Sequence, residues 1–86
     1  MDDQQFEEYT RSMKEMFRSK GWEYFINDIR NGVPNVNSVE VTKDAEDLFF
    51  RKGQLAVMAN ILNLEAQLDG VIEQREQEST EEEEAA

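Results

Sequence analysis

The sequence predicts an all-α protein, a two-segment antiparallel helical hairpin with a disordered acidic C-terminal tail. Three observations lead there. Apolar residues recur at helical spacing on both sides of a short connector. The connector holds residues that stop helices and favour turns. The last dozen residues are almost all polar or acidic. The expected boundaries are a helical domain over 1–74 and a disordered tail over 75–86.

The first segment is expected from about Asp3 to Asn31. Phe6, Tyr9, Met13, Met16 and Phe17 make one apolar stripe, and Trp22, Phe25, Ile26 and Ile29 continue it. Asp2 or Asp3 can cap its start and suits the positive end of the helix dipole. Gly21 leaves two alternatives. It lowers the propensity of one continuous helix by about 1 kcal/mol, or the chain breaks there and Ser19 caps a second, short helix.

Asn31-Gly32 reads as a helix stop, with Gly32 just past the end and Pro34 two residues beyond. Residues 33–41 then read as a connector. Pro34, Asn35, Asn37 and Ser38 favour turns, and Val33, Val36, Val39 and Val41 are expected to pin the connector to the helices.

The second helix is expected to start near Thr42 and run to about Gln74, with Asp44, Glu46 and Asp47 in its first turns. Phe50, Gln54, Val57, Ile61, Leu64, Leu68 and Val71 alternate at steps of four and three, as in a heptad seam. Leu48, Leu55, Met58 and Leu62 form a second row beside it. The combined arc is wider than one partner helix covers. Either both rows bury against the first segment, or part of the arc meets another chain. The first segment is weakest at Gly21, so the uncovered part is expected at the C-terminal end. The candidate partner-binding residues are Val57, Ile61, Leu64, Leu68, Val71 and Ile72.

From Glu73 onward, seven glutamates against one arginine give the tail −6 of a formal net charge of −11. Like charges at this density repel, and no side chain there is apolar enough to pack.

Composition argues against chemistry. The chain has no cysteine and no histidine, which removes thiolate nucleophiles and the commonest general base and zinc ligands. The carboxylate pairs Glu7 with Glu8, Asp44 with Glu46 and Asp47, and Glu65 with Asp69 read as solvated surface. No glycine-rich phosphate loop and no calcium loop is present. No catalytic, cofactor-binding or metal-binding residue is expected. The acidic balance opposes direct nucleic-acid binding. No apolar run reaches the roughly 20 residues that span a bilayer, and Met1-Asp2-Asp3 has the wrong charge for a signal peptide.

Arg11, Lys14 and Arg18 share one face of the first helix, and Arg51 and Lys52 sit together on the second. They read either as a solvated face with local ion pairs or as a patch for an acidic protein. Trp22, Tyr24, Phe49 and Phe50 read as core packing or as exposed anchors for a partner. Neighbours on a helix, Phe49 and Phe50 point about 100° apart and cannot both face one core strip.

The run Asp47-Leu48-Phe49-Phe50-Arg51-Lys52-Gly53-Gln54-Leu55, followed by an apolar helix, resembles a pattern in small uncharacterised proteins of tailed bacteriophages. Lys20-Gly21-Trp22 resembles an element preceding it in those proteins, so the likeness spans Gly21 to Leu68. It implies a phage protein of virion assembly or host takeover, found in the virion or the host cytoplasm, and transfers no functional residue.

The expected function is therefore non-enzymatic protein binding, by self-association or to another phage or host protein. The alternative is an acidic inhibitor that imitates nucleic-acid charge and blocks a host polymerase, nuclease or repressor.

Overall fold

The computed structural model describes the backbone of residues 1–85 and the side chains of residues 1–81. The described chain is all-helical, with four helices in the order α1 (Asp3–Phe17), α2 (Lys20–Val36), α3 (Ala45–Leu62) and α4 (Leu64–Ala85). Helix covers 84% of the chain.

Each helix start has a local cause. Asp2 caps α1: its carboxylate accepts from the Gln5 amide at 2.8 Å, and the Gln5 side chain accepts from the Asp2 amide at 3.0 Å. The break after Phe17 follows the second of the two alternatives at Gly21. Ser19 is extended and its hydroxyl accepts from the Trp22 amide at 3.1 Å. The helix it starts is not short but 17 residues long.

The expected stop at Gly32 is not made. α2 runs through Gly32 and Pro34 to Val36, and no described glycine adopts positive φ. Gly32 serves close approach instead: a Cβ there would stand 3.3 Å from the Met58 methyl. Pro34 lies in the last turn, where its missing N–H forfeits a single ladder bond. The end of α2 is then capped from outside. The Arg51 guanidinium donates to the Asn35 carbonyl at 3.0 Å and the Val36 carbonyl at 3.2 Å.

The second segment also departs from expectation. α3 starts at Ala45, past the expected Thr42, and Asp44 caps it, accepting from the Asp47 amide at 2.8 Å. Thr42 closes the connector by donating to the Ser38 carbonyl at 2.6 Å. The expected continuous helix to Gln74 is divided at Asn63, where α3 and α4 meet at 56°. Asn63 is in both ladders: its amide donates to Ala59 and its carbonyl accepts from Gln67. α4 continues to Ala85 across the boundary at 75, where the sequence suggests disorder; Ala86 lies outside the described residues. Glutamate and glutamine are good helix formers, and no glycine or proline follows Gly70 to stop the helix. Of the connector valines, Val39 is 90% exposed and Val41 is exposed too, so neither pins anything.

α2 packs on its successor α3 across the connector, and α1 packs on α4. Arg51 reaches the end of α2, Met58 meets Gly32, Trp22 donates its indole N–H to Glu65 at 3.0 Å, and Arg75 meets Asp3 at 3.1 Å. The molecule is long and thin, 60 × 31 × 17 Å, with a radius of gyration of 18.3 Å. A compact chain of this length would have about 12 Å. Among the described residues, the buried apolar core is Leu68 alone, 6% exposed.

Candidate protein-binding surface

α3 is held firmly on one side. The Asp47 carboxylate accepts from the Lys43 amide at 2.9 Å and from Arg51 Nε at 3.1 Å. These two contacts, the Lys43 amide first, hold the Asp47 carboxyl below its ordinary value of 3.8. Arg51 thus joins the first turn of α3 to the last turn of α2, and it also reaches the Val41 carbonyl of the connector at 3.4 Å. Leu55, Met58 and Leu62, from the row beside the seam, are half-buried. Met58, against Gly32, marks this as the face of α3 that packs on α2.

The seam row runs beside this face along α3, at the open edge of the α2 contact. Phe49 is 68% exposed, Phe50 66% and Val57 58%. With Ile29 and Val36 of α2 they line an open groove of about 570 Å³ whose walls are almost wholly apolar. Gly53, Gln54 and Met58 line it too, and Ile61 ends it. Both neighbouring phenylalanines line this groove, although they point about 100° apart.

The six candidate residues do not share one surface. Val57 is exposed in the groove and Ile61 is half-buried at its end. Past Asn63, Leu64 and Ile72 are half-buried, Val71 is exposed, and Leu68 is the most enclosed side chain described. The end expected to be uncovered thus holds the most enclosed side chain, Leu68, and an exposed one, Val71. The bend at Asn63 turns the seam outward along α3 and inward along α4, toward α1. A clasp holds that end closed: the Arg75 guanidinium sits 4.2 Å over the Phe6 ring and donates to the Met1 carbonyl at 3.3 Å and to Asp3. The other end of α1 adds an aromatic run across the Ser19 break, Phe17 to Trp22 at 5.0 Å and Trp22 to Phe25 at 5.7 Å.

The structure also sorts the charged candidates. Arg51 is absorbed in the α2–α3 joint and Arg75 in the clasp. Among the described residues, Arg11, Lys14 and Arg18 form no ion pair, and no group of three carboxylates is placed to hold a metal ion. No single described helix is long and apolar enough to cross a membrane; α3 and α4 pass that test only as a pair across their bend.

Comparison with known proteins finds no matching family model, no matching curated protein and no matching solved structure.

Proposed function

We propose that this chain is a non-enzymatic protein-binding subunit, an antiparallel helical hairpin bent on both arms, which takes another protein chain on the outer face of α3. The observation that carries the reading is the coincidence of Phe49, Phe50 and Val57, each more than half exposed, in one apolar groove. Exposed aromatics clustered in a patch that excludes charge are the usual anchors of protein interfaces. Charge supports the same face. Residues 20–62 hold five basic against six acidic side chains, so they carry −1 of the total −11. The rest of the charge lies on α1 and the α4 end. The resemblance to tailed-phage proteins adds a setting in which to seek the partner, virion assembly or host takeover.

The test is retention of partner by the full chain immobilised in infected-cell extract. Phe50→Glu with Val57→Glu should abolish retention while helix content stays unchanged, since both side chains stand mostly in water in the isolated chain. Retention of the same partner by the double variant would overturn the reading.

A second reading, the acidic mimic, is favoured by one observation. α4 is helical through Ala85, so Glu73, Glu76 and Glu81 ride on a regular rod and not on a coil. Salt separates the two. A complex made through the carboxylates weakens steeply as salt rises, and one made through the groove holds.

A further inference from the structure

We infer that the chain occupying the groove is a second copy of this one, joined about a two-fold axis through α3. The inference rests on the protein-binding reading and names its partner.

Surface area comes first. The chain exposes 7087 Å². A compact monomer of 10.1 kDa would expose about 5,300 Å², and its extended form about 14,600 Å². Folding alone therefore removes only about half of the chain from water, less than the ~60% reached by a 60-residue domain. The projecting end of α4 accounts for part of the excess. A standard interface, about 800 Å² per partner, fits within the remainder, and Phe49 and Phe50 alone contribute roughly 270 Å² at ~200 Å² per ring.

Shape selects a copy of the same chain. A two-fold interface must be self-complementary, so one patch has to carry both the knob and the hole. This patch does. Phe49, Gly53 and Val57 follow at steps of four on one ridge of α3, and apart from its own helix backbone and chain neighbours nothing lies within 4 Å of where a Gly53 side chain would begin. The empty notch stands between a phenylalanine and a valine. Across a two-fold axis, the Phe49 and Phe50 rings of one copy seat at the Gly53 notch of the other, and α2 and α3 of both copies make a four-helix layer. Charge permits it: the segments brought together carry −1 each, and the −8 of residues 63–86, one arginine against nine acids, stays outside the contact.

The experiment is sedimentation equilibrium of the full chain from about 1 to 100 μM, with helix content read on the same samples. The wild type should reach twice 10.1 kDa. Gly53→Leu, which fills the notch, begins in open space and raises helix propensity, should stay at the monomer mass with helix content undiminished. Because the chain has no cysteine, Gln54→Cys should be linked between chains by a short bifunctional maleimide, and Glu8→Cys on α1 should not. A wild type that stays monomeric at 100 μM overturns the inference, as does a Gly53→Leu chain that still dimerises or a Glu8→Cys chain that links as well as Gln54→Cys. A monomeric wild type whose retained partner is lost with Phe50→Glu and Val57→Glu overturns the second copy alone. One whose partner survives those changes overturns the protein-binding reading too. Sedimentation of a monomeric wild type with phosphatidylglycerol vesicles would likewise overturn the inference, in favour of a lipid surface.

Discussion

Replacing Leu68 with alanine should be the most damaging single truncation in the chain. Leu68 is 6% exposed and lies where α4 faces α1. The change removes three carbon groups from an almost dry site, worth about 2.4 kcal/mol at 0.8 kcal/mol each. A residual cavity would add to this, as in deep cores. Here the fold is thin, 17 Å in its shortest dimension, and Leu68 lines an open cleft with Phe17 and Lys14, so the site can close and the cavity contribution stays small. The expected cost is about 2–3 kcal/mol, which for a domain of this size lowers the melting temperature by roughly 10–20 °C. Val39→Ala is the matched control. Val39 is 90% exposed, and its truncation should cost less than about 0.5 kcal/mol. Thermal and urea unfolding followed by circular dichroism, at one fixed protein concentration so that association is held constant, measures both. Equal effects of the two substitutions, or a Leu68→Ala cost below about 0.5 kcal/mol, would refute the assignment of the core to the α1–α4 contact.

Three further outcomes are expected. Gly70→Ala should stabilise the protein by about 0.5–1 kcal/mol, since Gly70 is inside α4, has no positive φ and has nothing within 4 Å of its missing side chain; unchanged or lower stability in urea unfolding would count against a continuous α4. Arg51→Ala should cost about 1.5–3 kcal/mol, because one guanidinium serves the carbonyls of Asn35 and Val36 together with Asp47, and amide exchange at the end of α2 should speed up first. Asp47→Asn should be less stable than wild type at neutral pH. The folded state holds this carboxyl below its ordinary 3.8, so as pH falls the unfolded chain takes the proton first; the gap between wild type and variant is full above that value and closes as pH drops through the lower, folded one. A gap that persists in acid would show that the carboxylate charge is not what Asp47 contributes.

Local rules read some of this architecture correctly. Asp2, one of the two caps the sequence offers, is the N-cap in the fold, and Ser19 belongs to one of the two alternatives the sequence leaves open at Gly21. These features depend on residues three apart. The failures lie where distant residues decide. Gly32 and Pro34 carry the pattern of a helix end, but Arg51, 15 residues beyond Val36, caps the carbonyls that let α2 finish four residues later than Gly32. The Asp47–Arg51 spacing was visible as an i,i+4 pair; that its guanidinium also reaches another helix was not.

The binding surface shows the same division. The sequence displays an apolar arc on the second segment that is too wide for one helix, and the exposed Phe50 and Val57 lie on it. Which end stays uncovered depended on the bend at Asn63, and neither the heptad spacing nor any glycine or proline marks that position. A continuous helix would have kept Leu64 to Val71 on the same face as Val57. The bend places Leu68 against α1 and leaves Phe49 and Phe50 in the open.

The central claim, that a second copy of the chain covers the outer face of α3, is tested most directly by hydroxyl-radical footprinting of the full-length protein across a 100-fold dilution. Phe49 and Phe50 should be oxidised slowly at about 100 μM and several-fold faster at about 1 μM, as the covering chain leaves. Tyr9, exposed on α1 and away from the groove, should react at one rate throughout. Phenylalanines oxidised at a constant high rate at every concentration, in step with Tyr9, would contradict the account.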